Sequence, residues 1–260
     1  MDRSNFSVET NHLIDLLFSP EWPEAVPDFM ICGNNEKDKR ERAEGVLNYI
    51  SCDLENKKFL DFGCGEGHVV DEVSKSASFS IGYDINPLGL LWECKEKNYI
   101  LSSDFNLVKQ NSPYNIILLY DVLDHVEFPE KVLSDISSLC SEETKVIVRC
   151  HPWMSRHGGH LYEKINKAWM QLVFTEEELK NMGYNMPFMQ KIYHPLGVYN
   201  SWFDNSNFRI IKSSIIKSGV ESFFRRSKIM SRLPIDKFRG NFPDFQMSQC
   251  FDDYILSLKK

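Results

Sequence analysis

Hydrophobic and polar positions along the chain fall into two regimes. Over residues 1–56 the apolar positions are scattered. "VETNHLIDLL" has helical spacing near residues 8–17, the proline-rich "SPEWPEAVP" reads as a turn, and "EKDKRERAEGVLNYI" predicts a second helix. From Lys57 the pattern becomes regular. "KKFLDFG" is a short apolar run ended by glycine, "HVVDEVSKS" has helical spacing, and "FSIGYD" predicts a second strand that stops at an acidic residue. Pro87 suits the first turn of a helix over "PLGLLWECKEK", with Asn86 as its cap. "YNIILLYDV" is apolar at nearly every position, as a strand covered on both faces must be. Pro129 opens a helix in "PEKVLSDISSLC", where Val132, Leu133, Ile136, Leu139 and Cys140 share one face, and "TKVIVRC" predicts another central strand.

Strands alternating with helices in this way predict an α/β fold with a parallel, doubly wound sheet and ligands at the carboxyl ends of its strands. Downstream, "HLYEKINKAWMQL" predicts a helix. "TEEELKNMG" carries the capping-box spacing Thr175 to Glu178 and ends at Gly183. "FRIIKSSIIK" reads as the final strand. The chain therefore divides into a helical N-terminal cover (1–56), a sheet domain (57–220) and a C-terminal appendage (221–260). No internal repeat or low-complexity segment interrupts it.

Composition narrows the class. With 260 residues, 42% of them hydrophobic and 26% charged, the chain can bury a substantial core. No apolar run approaches the roughly 18 residues of a membrane span, and the N-terminus lacks the basic and apolar regions of a signal peptide. A cytoplasmic protein with no membrane partner is expected. The seven cysteines are scattered without a C-x-x-C pair, which predicts reduced thiols rather than disulfides or a zinc ribbon. The net charge of -7 opposes nucleic-acid binding, yet residues 209–239 hold nine basic side chains against two acidic ones. That segment keeps a nucleic-acid partner open beside a small molecule, and oligomeric state is not legible.

The densest motif is "LDFGCGEGH", residues 60–68. Glycines at 63, 65 and 67 directly after a strand let the backbone turn sharply and approach a ligand, and the following helix points its N-terminus there. Asp84 closes the next strand about twenty residues on, where a carboxylate can accept from both hydroxyls of a ribose. A nicotinamide dinucleotide is disfavoured. His68 stands where its fingerprint needs a third small residue, and Asp61 would repel a pyrophosphate.

"LDFGCGEGH", "GYDINP" and "YDVLDHV" together resemble the motifs of the class I S-adenosylmethionine-dependent methyltransferases, over residues 57–183. The resemblance implies a seven-stranded, mostly parallel Rossmann-like sheet with one reversed strand, and S-adenosyl-L-methionine as cofactor. It implies that Gly63, Cys64, Gly65 and Gly67 line the methionine portion, with Asp61 bracing that loop. Asp84 would hold the ribose and Ile85 lie against the adenine. Asp104 would meet the exocyclic amine with Phe105 beside it, and Asp121 would sit close to the sulfonium end. The implied activity is methyl transfer to an oxygen or nitrogen of an acceptor; a non-catalytic assembly protein on the same fold is the rival reading.

After the strand "TKVIVRC" the chain runs "HPWMSRHGGH", placing His151, His157 and His160 on a loop at the expected substrate side. Histidine titrates in the range a general base needs, and His151, at the strand end, is the first candidate, followed by His157 and His160. As a metal site the H-x5-H-x2-H spacing lacks an acidic partner, so no metal is expected. Trp153, Tyr162 and Trp169 are read as core of the helical cover, or as walls of a planar acceptor site.

Overall fold

The computed structural model describes residues 3–20, 22–26, 35–93, 98–192, 195–217 and 249–259. Among these, seven strands form one sheet in the order β3-β2-β1-β4-β5-β7-β6. The strands are β1 (Lys58–Phe62), β2 (Phe79–Tyr83), β3 (Ile100–Ser102), β4 (Tyr114–Tyr120), β5 (Cys140–Cys150), β6 (Phe208–Lys217) and β7 (Gln249–Leu258). Neighbours from β3 through β5 all run parallel, with Leu60 beside Ile81 on one side and Ile117 on the other. That is the α/β architecture the alternating pattern predicts. Burial of Phe59, Leu60, Ile117, Leu118 and Val146 explains why β1, β4 and β5 carry almost unbroken apolar runs.

At the other end of the sheet the order departs from the chain. β6, expected to be the last strand, is followed by β7, which lies between β5 and β6. The N–H of Lys259 donates to the carbonyl of Asn207 at 2.7 Å, and Arg209 Nε donates to Ser257 Oγ at 2.9 Å. Positions rise along β6 as they fall along β7, so these two strands are antiparallel. Gln249–Leu258 thus joins the sheet from within the segment set apart as an appendage.

Contacts divide the chain into two units. The first comprises residues 32–150, 199–214 and 253–260. In it α2 (Glu36–Ile50), capped by the Asn35 side chain, packs Val46 and Ile50 against Phe59, Ile116 and Ile147. Arg40 pairs with Asp71 of α3 (His68–Val73) at 2.9 Å. Among α9 (Pro195–Asp204), Tyr199 and Phe203 pack on Tyr254 of β7. The second unit comprises residues 1–31, 151–198 and 215–252. Its core gathers Leu13, Ile14 and Leu17 of α1 (Val8–Leu17) with Trp22, Trp153, Trp169 and Leu179. Trp153 and Trp169 are therefore core residues. The expected capping box of α8 (Glu176–Asn181) forms between Thr175 and Glu178.

Two helical expectations fail for identifiable reasons. Over 160–172 only α7 (Met170–Val173) is helical. The preceding residues bond sideways, the N–H of Ala168 to the carbonyl of Pro23 and the Asn166 carboxamide to both backbone groups of Val26, and Trp169 turns left-handed at φ 58°. The helix expected from Pro87 begins instead at Leu90 (α4, Leu90–Glu93), because Gly89 sits at φ 90° and the Asn86 N–H is taken by Asp84. No helix among the described residues is long and apolar enough to cross a membrane.

Candidate functional site

The loop after β1 is closed by backbone bonds that glycine permits. The N–H groups of Gly63 and Cys64 both donate to the carbonyl of Tyr83, at 2.7 and 3.1 Å. Gly63 stands at φ 84°, and a Cβ there would come within 2.5 Å of Val122. Gly67 stands at φ 91°, and its Cβ would strike Leu101 at 2.6 Å. At both positions the left-handed backbone and the close neighbour each call for glycine.

Asp84, just beyond β2, secures this loop. Its Oδ2 accepts from the N–H of Gly65 and its Oδ1 from the N–H of Asn86, both at 2.9 Å. From α4, the indole N–H of Trp92 donates to the carbonyl of Gly65 at 2.9 Å. The next loop residue, Glu66, receives both its oxygens' contacts from Lys39 of α2, at 2.8 and 2.6 Å. Neither Trp92 nor Lys39 stands out in the sequence, since each lies apart from any motif.

One carboxylate, Asp61, lies near the end of β1, and three more, Asp84, Asp104 and Asp121, follow the ends of β2, β3 and β4. Asp61 on β1 is buried, and burial, with a smaller push from Asp84, raises its carboxyl to about 7. Asp104 is exposed, capping α5 (Phe105–Gln110) by accepting from the N–H of Asn106 at 2.9 Å. Phe105 meets the Tyr83 ring edge-on at 5.7 Å. Asp121, after β4, is a left-handed residue at φ 57°. Burial raises its carboxyl to about 7 against the pull of Arg42, Arg149 and His125. Beside Asp84, Ile85 and Leu88 expose 73% and 63% of their surfaces, an uncovered apolar shelf next to a carboxylate.

This donor set fits S-adenosylmethionine. Asp84 retains lone pairs for ribose hydroxyls, Ile85 and Leu88 offer cover for a purine face, and the backbone of 63–67 is open to close approach. Pyrophosphate fits poorly, because the buried carboxyl of Asp61 is separated from the loop by one residue.

In the second unit the three histidines come together. The His151 ring lies 4.7 Å from that of His157 and 4.6 Å from that of His160. Phe251 touches His151 at 4.7 Å and His157 at 5.2 Å, and Tyr162 adjoins both His157 and His160. His157 is buried, and neither ring nitrogen has a hydrogen-bond partner among the described residues. Burial, then the neighbouring His151 and Arg156, drive its pKa well below the ordinary value. His160 is half-buried with a left-handed backbone at φ 50°. The same unit holds a cavity of about 440 Å³ whose lining includes Trp153, Leu179, Met186, Phe188 and Lys191. Of the basic segment, 218–248 lies outside the described residues; Arg209, Lys212 and Lys217 fall on β6.

The family described as a methyltransferase domain matches residues 35–213. No curated protein matches the chain by sequence. Among solved structures, magnesium protoporphyrin IX methyltransferase from Synechocystis, with bound S-adenosylhomocysteine, superposes with a TM-score of 0.50 at 14% identity, over 88% of this chain and 91% of that one. An S-adenosylmethionine-dependent methyltransferase from Archaeoglobus fulgidus gives 0.51 at 16% identity, over 85% and 94%. A third, from Mesorhizobium loti, gives 0.50 at 11%, over 83% and 97%. These likenesses are of fold. The family match spans the glycine loop, Asp84 and strands β1 to β5, and on it the chain belongs to the methyltransferase-domain family.

Proposed function

We propose that the chain binds S-adenosylmethionine at residues 61–67, Asp84, Ile85, Asp104, Phe105 and Asp121, and transfers its methyl group to an oxygen or nitrogen of a small-molecule acceptor. The observation that carries this is the glycine loop tied to Asp84, with exposed Ile85 beside it. A carboxylate that braces the loop through Gly65 is already aligned for a ribose, and alignment is what a displacement at carbon chiefly requires. When bound, the cofactor supplies an electrophilic methyl group on a sulfonium. Asp84 holds the loop, with Asp61 buried at the strand end before it, while Asp121 offers a carboxylate to the positively charged end.

His151 follows directly on the last residue of β5 and is the candidate to accept the acceptor's proton, with His157 and His160 packed around it.

Calorimetric titration with S-adenosylhomocysteine, with NAD as the parallel ligand, tests the reading. Micromolar binding of the former alone is expected. Binding of NAD alone, or of neither, overturns it.

A further inference from the structure

The three glycines of the loop after β1 are held in different ways. Gly63 and Gly67 are fixed by packing, since a Cβ on either would strike Val122 or Leu101. Gly65, at φ 52°, is not: apart from its chain neighbours, no atom of the described residues lies within 4 Å of its would-be Cβ. Two side chains hold it instead. The Gly65 N–H donates to Asp84 Oδ2, and the Gly65 carbonyl accepts from the indole N–H of Trp92, both at 2.9 Å. The two groups belong to successive peptide planes, so together the bonds set the torsions on either side of the Gly65 Cα.

Both side chains come from one short segment. Asp84 also accepts from the N–H of Asn86 at 2.9 Å, which turns the chain after β2. Gly89, at φ 90°, leads into α4, and a Cβ there would meet the Glu66 carboxylate at 2.9 Å. Glycine at this position lets the segment lie directly against the loop. The backbone N–H of Trp92 then donates to the Gly89 carbonyl at 3.2 Å. Glu66 is itself held by Lys39 of α2. Residues 84–92 thus run from one bond on Gly65 to the other, with the exposed Ile85 and Leu88 between them in sequence.

We propose that Trp92 is a positioning residue for the cofactor, its indole N–H presetting the Gly65 carbonyl so that the loop has its shape before the ligand arrives. The inference rests on the assignment of residues 63–67 to S-adenosylmethionine. Glycine left to itself adopts φ of either sign, and a Gly65 held on one side only would have to be ordered at binding, at the expense of affinity. With Asp84 on one side of the Cα and Trp92 on the other, that ordering is completed during folding. Open space beside Gly65 leaves room for a ligand to meet a backbone already set.

The test compares the unaltered chain with Trp92→Phe, which keeps an aromatic ring and loses the donor. Two quantities are read: S-adenosylhomocysteine affinity by calorimetry, and hydrogen exchange of the Gly65 amide in the ligand-free protein by NMR, with the Leu60 amide of β1 as reference. Affinity is expected to fall about three- to tenfold, the worth of one neutral hydrogen bond. Gly65 exchange is expected to quicken about tenfold while Leu60 keeps its rate. A structural role would quicken both amides together. That result, equal affinity, or weaker affinity with Gly65 exchange unmoved overturns the proposal while the cofactor reading stands. Should the variant not fold, the unaltered chain decides through the Trp92 indole proton, which is expected to exchange slowly and to shift on titration with S-adenosylhomocysteine. Exchange as fast as in free tryptophan, or a resonance untouched by the titration, overturns the proposal. Failure of the unaltered chain to bind overturns both readings.

Discussion

The Oδ2 of Asp84 accepts a hydrogen bond from the backbone N–H of Gly65 at 2.9 Å, joining the end of β2 to the middle of the loop after β1. One carboxylate thus shapes the loop and, on the reading above, meets the ribose. Asp84→Ala is expected to weaken S-adenosylhomocysteine binding about 30- to 100-fold, the loss of a charge-assisted bond of about 2–3 kcal/mol. Asp84→Asn keeps an acceptor and is expected to fall between. Equal affinity in all three proteins by calorimetry would remove Asp84 from the site.

Gly67 tests the backbone rather than a side chain. Its φ of 91° strains any L-residue, and a Cβ would meet Leu101 at 2.6 Å. Gly67→Ala is expected to destabilise the fold by about 1–3 kcal/mol and to lower the melting temperature by several degrees in a thermal scan. Gly45, in α2, has open space around its would-be Cβ and serves as the control. Its alanine variant is expected to be neutral or stabilising by about 0.5–1 kcal/mol.

Asp61 carries a pH dependence of unusual sign. Its folded carboxyl, raised to about 7 by burial and then by Asp84, lies above the unfolded value. The resulting stabilisation is complete below about pH 4 and disappears as pH rises through 7, where the fold must hold a buried anion. Asp61→Asn carries no such charge. Urea unfolding is expected to show its stability, relative to the unaltered chain, about 2 kcal/mol greater at pH 8 than at pH 5. A constant difference across that range would show that Asp61 ionises as freely folded as unfolded.

His157 has the opposite arrangement. Its folded pKa is depressed, first by burial and then by His151 and Arg156, so its contribution is present above about 6.5 and is lost as pH falls below that value. Between pH 7.5 and 5.5 the unaltered chain is expected to lose about 1 kcal/mol more than His157→Phe. Parallel losses in the two proteins would show that His157 has no share in acid sensitivity.

The parts of the molecule with strong periodicity were legible, and so were those with residue-specific backbone demands. β1, β2, β4 and β5 are apolar because both faces are covered, and the loop announces itself because only glycine tolerates φ 84° and 91° there. β3 escaped because three residues make no pattern. β7 escaped because "QCFDDYILSL" interleaves carboxylates with apolar residues, one of them serving Arg149. The false helix over 160–169 has helical spacing, yet its backbone is claimed by Pro23 and Val26. Arg149 itself was read only as a strand residue; it meets Asp253, Tyr120 and Tyr49, which come from three other elements, and no local window contains them.

The insertion of β7 between β5 and β6 imposes an order of events on the growing chain. β6 is complete at Lys217, but its partner begins at Gln249 and must enter beside a strand that ended at Cys150. During elongation at roughly 5–20 residues per second, β5 therefore presents an open edge for several seconds after its own synthesis. The Arg149 side chain waits at that edge for Asp253. Until then the apolar run Val146–Val148 has β4 on one side and no strand on the other.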